Sequence, residues 1–324
     1  MKNIVFSESP KNDIWLSLKN YTYPDNIKAY FDKQQISYDD ELITSITGAL
    51  IQAFEYFNSS KYVSLNTSPL LIYYGSINLF FGISCLLEGK KIRVEGHGMS
   101  IETSKLDSHN ILETEIILMD KKHAGLKTYA KILNDEDIKY EKWNIQELLY
   151  SIPEISSFVS QDDLNLKYVI PSTLVWDEDE TFHKISNIYE DKIKDVINFD
   201  KNYLPVGKNN KDELILRPSL NGLDLSSESY SGQKYFTLGH YKNKKLVQYN
   251  YFTYTFIALY GLATLGRYHT DIWTNFINNN SSSYIGIIEK FLEFCTRYLP
   301  NFALDKLTNK KNYYSNELFL NNQL

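Results

Sequence analysis

Cysteine and arginine are scarce in this chain, which has two cysteines and four arginines among its 324 residues. Two cysteines exclude a disulfide-rich scaffold and a metal site built from thiolates. Because Cys85 and Cys295 both lie in apolar stretches, we expect two buried free thiols in a reducing compartment. Lysine supplies nearly all of the positive charge, so each remaining arginine is expected to need its planar, forked guanidinium.

Several enzyme motifs are absent as well. The chain has no G-x-x-x-x-G-K-[ST] loop, no G-x-G-x-x-G loop and no G-x-S-x-G elbow. Their absence excludes the commonest nucleotide cradles and the nucleophile of the α/β-hydrolases. Only Asp120 and His123 have the spacing of two metal ligands, and two ligands do not make a site. We therefore expect neither a metal nor a cofactor.

The overall composition is that of a globular protein with a mild negative charge. Hydrophobic residues make up 43% of the chain, charged residues 23%, and the formal net charge is −6. This charge argues against non-specific coating of nucleic acid. The first residues contain no apolar run of the kind that secretory signals carry. We therefore expect a cytoplasmic protein.

Two long stretches without a charged residue raise the question of a membrane. Residues 62–87 and 246–266 comprise 26 and 21 residues without Asp, Glu, Lys or Arg. Either is long enough to span a bilayer. Both are also rich in Ser, Thr and Asn, which are costly in hydrocarbon. We interpret them as core helices and expect no membrane.

Periodicity predicts a fold of class α+β, in which helices from both ends of the sequence form a core and a strand-rich section is inserted between them. The predicted parts are a mainly helical part with short strands over 1–150, a strand-rich section over 151–248, and C-terminal helices over 249–324 that pack back on the first part. Residues 1–38 are interpreted as an irregular lead-in with a short helix near 26–33. The principal predicted helices are 40–57, 69–87, 144–150 and 251–265. The predicted strands are 91–94, 115–119, 167–170, 173–176, 182–189, 213–217, 234–238 and 245–248. Because helices 69–87 and 251–265 are apolar on nearly all sides, we expect them to pack on each other.

The first candidate site lies where helix 251–265 ends, at Arg267, Tyr268 and His269. The C-terminal end of a helix favours cations, and an arginine beside a histidine is suited to bind an anion or to shuttle a proton. The alternative is a helix cap whose aromatic residues pack into the core.

The second candidate site is the turn around His97. Gly96 and Gly98 permit a sharp turn and a close approach of the backbone to a ligand, and Arg93 precedes them. The alternative is a tight turn whose histidine caps a backbone carbonyl. Together these patterns predict His97, Arg267 and His269 as catalytic residues, should the protein be an enzyme. The predicted ligand-binding residues are Arg93, Gly98, His123 and Tyr268.

The sequence resembles the YaaC-like family, a group of uncharacterised bacterial proteins. The resemblance rests on Ala53-x-x-Tyr56-Phe57 with Ser68-Pro69-Leu70-Leu71-x-Tyr73-Tyr74-x-x-x-Asn78-Leu79, on the His97-Gly98 turn with 115–125, and on Leu262-x-x-Leu265-x-Arg267-Tyr268-His269-x-x-x-Trp273. The chain has Thr270 where the family tends to have proline. The resemblance implies a cytoplasmic bacterial protein and brings no established activity.

The two front helices are also similar, more distantly, to HEPN-type helical domains, many of which are RNases or parts of antiviral systems. Their signature is an arginine followed, after four to six residues, by a histidine on the same helix. Three residues separate Arg93 from His97, and one separates Arg267 from His269. A standard HEPN nuclease is therefore disfavoured.

Two functions remain open from the sequence. The first is a non-enzymatic or accessory component that acts by binding protein or nucleic acid, in a bacterial defence or stress system. The second is a hydrolase, either an RNase or a nucleotide-processing enzyme, that uses His97, Arg267 and His269. We expect a protein partner or a second copy of the chain, and nucleic acid stays open as a partner. Convergence of those three residues in one pocket would favour the enzyme.

Overall fold

A computed structural model of the chain describes residues 2–104, 106–109, 111–156, 158, 168–177, 180–196, 203–208, 213–218, 226–242, 245–279 and 283–315. The helices are α1 (Pro10–Lys19), α2 (Pro24–Gln34), α3 (Asp40–Ser59), α4 (Ser68–Glu88), α5 (Gly125–Asn134), α6 (Ile145–Tyr150), α7 (Pro153–Ser156), α8 (Glu190–Val196), α9 (Tyr251–Tyr268), α10 (Thr270–Asn279) and α11 (Ser283–Thr308). The strands are β1 (Lys2–Phe6), β2 (Met99–Ile101), β3 (Glu115–Leu118), β4 (Lys142–Asn144), β5 (Val169–Asp177), β6 (Glu180–Ser186), β7 (Tyr203–Lys208), β8 (Glu213–Pro218), β9 (Ser227–Glu228), β10 (Lys234–Thr237), β11 (His240–Lys242), β12 (Lys245–Val247) and β13 (Lys311–Ser315).

The described residues divide into two compact units. The helical unit takes those between 1 and 149 and between 250 and 318, and the strand-rich unit takes those between 150 and 249. The helical unit also holds a small sheet of order β2-β3-β4, while the strand-rich unit holds a six-stranded sheet of order β7-β8-β6-β5-β10-β9. The predicted α+β class is confirmed.

Helix α4 is the centre of the helical unit because it is apolar on nearly all sides. It approaches α3 closely at two glycines, where a Cβ atom on Gly75 or Gly82 would lie 2.8 Å from a side-chain atom of Phe57 or Leu50. Its opposite side packs on α9. The ring of Phe80 there lies 5.0 Å from that of Phe252, edge to face. The predicted packing of these two uncharged segments is confirmed.

Of the helices described, α4 is the one that is long and apolar enough to cross a bilayer. Most of it is buried among α3, α9 and α11, as the core helix of a soluble protein is. The second uncharged stretch forms β12 and most of α9, and its helical part is buried along almost its whole length.

The short helix predicted near 26–33 is confirmed as α2, but the prediction that the rest of residues 1–38 is irregular is wrong. The chain begins with a strand and two helices, β1, α1 and α2. Proline occupies the first position of both helices, where its fixed φ and missing N–H are tolerated. Strand β1 pairs in parallel with β13, so that Ile4 lies opposite Tyr313. A pattern within residues 1–38 cannot indicate a partner at the other end of the chain.

The predicted strand over 91–94 is also wrong. The structure has an extended loop there, and the strand begins later, at Met99. The neighbouring strand β3 is already paired on both sides, with β2 and with β4. The alternation of apolar residues in the loop reflects the burial of Ile92 rather than a ladder.

Other boundaries shift without changing the class. The predicted strands 173–176 and 167–170 correspond to one strand, β5, and residue 167 lies outside the described residues. The predicted strand 182–189 becomes β6 and a short 3-10 helix. Helices α1, α5, α7, α8 and α10 were not predicted.

Candidate functional site

The loop between α4 and β2 carries His97 and is fixed by its own backbone. Gly96 and Gly98 have φ of +68° and +77°, which glycine adopts at little cost. The loop carbonyls then meet the start of α5. The backbone N–H of Gly125 donates to the carbonyl of Gly96 at 2.9 Å, and that of Leu126 to the carbonyl of His97 at 3.2 Å. These bonds satisfy N–H groups at the start of α5 and hold His97 in place.

The imidazole of His97 contacts two tyrosines of the core helices. The hydroxyl of Tyr73 on α4 and Nδ1 of His97 share a hydrogen bond of 2.9 Å, and the ring of Tyr260 on α9 lies 5.7 Å from the imidazole. Burial lowers the pKa of His97 and raises the pKa of Tyr73 well above its usual range. Both groups are therefore neutral at pH 7, and Nε2 of His97 has no partner among the described residues.

Arg267 lies in the last turn of α9, which extends three residues beyond the predicted end. Its guanidinium carbon is 4.8 Å from the ring centre of Tyr268 and 5.5 Å from that of Tyr74. The side chain is exposed, and no described residue forms an ion pair or hydrogen bond with it. Its charge is therefore available to a ligand between two aromatic rings.

His97 and Arg267 line the same shallow depression, which has a volume of about 30 Å³. We call it the Arg267 depression. Among the described residues no carboxylate lines it. The other residues that line it are Leu70, Tyr73, Tyr74, Tyr260, Ala263, Thr264 and Tyr268. It is too small to enclose a nucleotide, so a ligand of that size would lie across its mouth.

A larger cavity, of about 200 Å³, adjoins the other side of His97. We call it the Tyr129 cavity. Its lining shares Tyr73 and His97 with the Arg267 depression, so this hydrogen-bonded pair is common to both. The cavity is otherwise lined by Ile77, Val94, Gly96, Gly125, Leu126, Tyr129 and Phe256.

A model of the YaaC-like protein family matches residues 6–307. The chain belongs to the YaaC-like family. No curated protein and no solved structure matches the chain. The more distant likeness to HEPN-type domains is not confirmed. All three stretches that carry the family resemblance contribute to the Arg267 depression of this YaaC-like protein: the first through Tyr73 and Tyr74, the second through His97, and the third through Arg267 and Tyr268.

The structure does not bring all of the predicted site residues to this place. His269 is not among the residues that line the depression; its backbone N–H donates to Leu265 and its carbonyl accepts from Trp273, so it joins α9 to α10. Arg93 is exposed and its Nε donates to the carboxylate of Glu95 at 2.6 Å. The carbonyl of His123 accepts the N–H of Glu95.

Gly98 supports the loop and is not itself in the lining. Its positive φ would strain any side chain, and a Cβ there would collide with Ala124.

Tyr73 and Tyr260 were not predicted as site residues. Each is a buried tyrosine on a core helix, and a buried hydroxyl needs a hydrogen-bond partner. Tyr73 bonds to His97, and the hydroxyl of Tyr260 donates to the carbonyl of Met99 at 2.7 Å. The polar tip on a core helix is the signal in the sequence that could have identified them.

Two more histidines, both in the strand-rich unit, form serine–histidine pairs. Nδ1 of His183 lies 2.9 Å from the hydroxyl of Ser172, and Nε2 of His240 lies 2.8 Å from that of Ser151. These four side chains are at most 6% exposed, so a substrate cannot reach a nucleophile there. Burial lowers the pKa of His240 to about 3. Both pairs are structural.

Proposed function

We propose that this YaaC-like protein is a non-enzymatic cytoplasmic component that binds single-stranded nucleic acid at the Arg267 depression. The observation that carries the proposal is the guanidinium of Arg267, which lies beside the rings of Tyr74 and Tyr268 and has no ion pair or hydrogen bond with any described residue. A guanidinium fork matches the oxygens of a phosphate. Tyr268 is 65% exposed, and exposed tyrosines provide surfaces on which bases stack without regard to sequence.

The three other arginines strengthen this interpretation by contrast. Arg93 is paired with Glu95, Arg297 donates to the carbonyl of Tyr314 at 2.6 Å, and Arg217 also has an interaction partner. Arg267 differs from these arginines because no described residue forms an ion pair or hydrogen bond with its guanidinium. Since the chain has a net charge of −6, this local cation has to overcome a general repulsion of nucleic acid, and binding should weaken steeply with salt.

The hydrolase alternative has less support. General acid–base hydrolysis pairs a base with an acid, and His97, which is neutral at pH 7 because burial lowers its pKa, suits only the role of the base. Neither His269 nor, among the described residues, a carboxylate lines the depression. One observation still favours hydrolysis: Nε2 of His97 has no described partner in a depression that also contains Arg267.

The proposal is tested with a fluorescent single-stranded RNA of about a dozen nucleotides and anisotropy at low salt. Arg267→Ala should weaken binding about tenfold, which corresponds to about 1.4 kcal/mol. The matched control is Arg93→Ala, which removes an exposed arginine that Glu95 already neutralises, and its affinity should stay within twofold of the wild type.

Equal melting temperatures of the two variants exclude a general loss of structure. Wild-type protein that does not bind RNA at low salt, or an Arg267→Ala variant that binds like the wild type, would reject the proposed function. Cleavage of the RNA by the wild type and not by His97→Ala would favour the hydrolase instead.

A further inference from the structure

The Tyr129 cavity is a pocket that the protein does not fill with its own side chains. Its volume is about 200 Å³, and it opens to solvent at Gly96, which is exposed. An engineered apolar cavity of about 150 Å³ binds benzene, whereas sites for drug-sized ligands start at about 300 Å³. The volume therefore suits one small ring system.

The walls favour a flat, apolar ligand. Aromatic rings come from Tyr73, Tyr129 and Phe256, and aliphatic groups from Ile77, Val94 and Leu126. Aromatic side chains pack well against ring faces and edges. None of the lining residues carries a carboxylate, lysine or arginine, so a charged ligand would lose its hydration without gaining a partner.

Solvent water in this pocket finds few polar partners, so an apolar ring that displaces it gains affinity. The polar side-chain groups of the lining belong to Tyr73, His97 and Tyr129, and the hydroxyl of Tyr73 already bonds to His97. The bond from Tyr129 to the carbonyl of Ile77 is 3.4 Å long, so that hydroxyl can improve its geometry by turning to a ligand. His97 lines this pocket as well, and its Nε2, which has no partner among the described residues, can provide one more hydrogen bond.

Two glycines keep the space open. A Cβ at Gly96 would meet no heavy atom within 4 Å, and one at Gly125 would stand 3.3 Å from the carbonyl oxygen of Gly96, 3.5 Å from Val94 and 3.6 Å from the ring of Tyr129. A methyl group at Gly125 would therefore point into the space between these two lining residues. The backbone that forms this wall is the same loop-to-helix junction that fixes His97.

We propose that the Tyr129 cavity binds a neutral planar aromatic molecule of one ring or two fused rings. This ligand forms one hydrogen bond with His97 and another with Tyr129. Indole and a free purine base have this chemistry. The site is separate from the proposed function, because a ring in this cavity does not use Arg267. If RNA does not bind at Arg267, the proposed binding of a ring in the Tyr129 cavity is unaffected. If no ring binds in the cavity, the proposed RNA binding is likewise unaffected.

Isothermal titration of the full chain with indole, with adenine and with benzoate tests the proposal. Indole and adenine should bind with a Kd on the order of 1 mM or tighter, the range for ligands of about ten non-hydrogen atoms, and anionic benzoate should bind at least tenfold more weakly. Binding should persist in Arg267→Ala. Equal affinity for all three probes, or no heat with indole and adenine up to their solubility limits, overturns the proposal.

A pair of valine variants locates the binding. Val94→Phe fills the cavity and should weaken indole binding at least tenfold, while Val63→Phe, at a partly exposed position outside the lining, should leave it unchanged. If Val94→Phe does not fold, Gly125→Ala adds only a methyl group in the same space and should weaken binding at least threefold. A folded cavity variant that binds indole like the wild type contradicts the assignment.

Discussion

Three histidines of this protein share a hydrogen bond with a hydroxyl group, and their surroundings differ between the two units. In the helical unit, His97 is half-buried and bonds through Nδ1 to Tyr73, while Nε2 faces no described partner. In the strand-rich unit, the rings of His183 and His240 are 0% and 3% exposed. The same residue pair thus has two uses: full enclosure makes the imidazole a part of the core, whereas partial enclosure leaves one nitrogen for a ligand.

The largest effect is expected when the imidazole ring of a fully buried histidine is removed. His183→Ala deletes a ring that lies 5.1 Å from Phe236 and leaves the buried hydroxyl of Ser172 without its imidazole. Lost packing, a cavity and an unsatisfied polar group should together cost roughly 4 kcal/mol in the free energy of unfolding of the strand-rich unit.

The matched control is His97→Ala, which should cost about 1 kcal/mol or less because water can reach the remaining hydroxyl. Urea unfolding measures both values, and hydrogen exchange assigns each loss to its unit. Equal losses for the two variants would mean that His97 is as structural as His183.

Acid should act on the strand-rich unit through His240. Its pKa is about 3 in the folded protein, against an ordinary value of 6.5, so the unfolded chain takes up a proton that the folded protein excludes. The contribution of His240 to the free energy of unfolding is fully present above pH 6.5. It is lost as the pH falls toward 3, by about 1.4 kcal/mol for each pH unit. Between pH 6.5 and 4.5 the loss should reach about 2 kcal/mol. Urea midpoints over this range measure it, and His240→Asn should remove most of the slope.

The helical unit contains a group with the opposite response. Burial raises the pKa of Asp305 to about 6, from 3.8, even though Asn312 donates two hydrogen bonds to its Oδ1, at 2.8 and 2.9 Å. The folded protein therefore binds this proton more tightly than the unfolded chain does. This contribution is fully present below pH 3.8 and is lost as the pH rises to 6, which amounts to about 2 kcal/mol after allowance for partial exposure.

The measurement is the difference in urea midpoint between the wild type and Asp305→Asn at pH 4 and pH 6. The difference should favour the wild type at pH 4 and shrink or reverse at pH 6. If the difference in urea midpoint is the same at pH 4 and pH 6, Asp305 does not titrate between these pH values. The proposed contrast between the two units is then wrong for the helical unit.

The sequence predicts best where one local pattern decides the outcome. The uncharged stretches at α4 and α9 have no polar face, so each needs cover, and their mutual packing follows. Gly89 has φ of +62° and ends α4 as a C-terminal glycine should. The turn at His97 follows from its two glycines in the same way.

The remaining features depend on residues that are far apart in the chain. The strand β1 exists because β13 lies beside it, and the side chain of Asn3 donates to Asn312 at 2.8 Å across that pair. The partner of His97 is Tyr73, 24 residues earlier, and the partner of His183 lies on the neighbouring strand. Such partners depend on how helices and strands meet, which periodicity along one segment cannot show. Arg267 was predicted as a site residue because arginine is scarce in this chain, but the rings beside it include Tyr74 on another helix.

The smallest predicted effect is also the most direct comparison of the two units, because it removes only the hydroxyl from each pair. Ser172→Ala leaves Nδ1 of His183 in a place that is sealed from water, where an unmet hydrogen bond costs about 1 to 3 kcal/mol. Tyr73→Phe leaves Nδ1 of His97 in a half-buried ring beside a cavity and a depression that admit solvent. A water can replace the lost hydroxyl there, so we expect a loss of about 0.5 to 1 kcal/mol.

Burial is the cause of the lowered pKa of His97, so the imidazole should stay neutral at pH 7 in Tyr73→Phe, which an NMR titration of the ring protons measures. A Tyr73→Phe variant that loses as much stability as Ser172→Ala would show that solvent does not reach His97. The Tyr129 cavity would then be closed to solvent at His97, and the proposed binding of a ring there would lose the accessible nitrogen that His97 contributes.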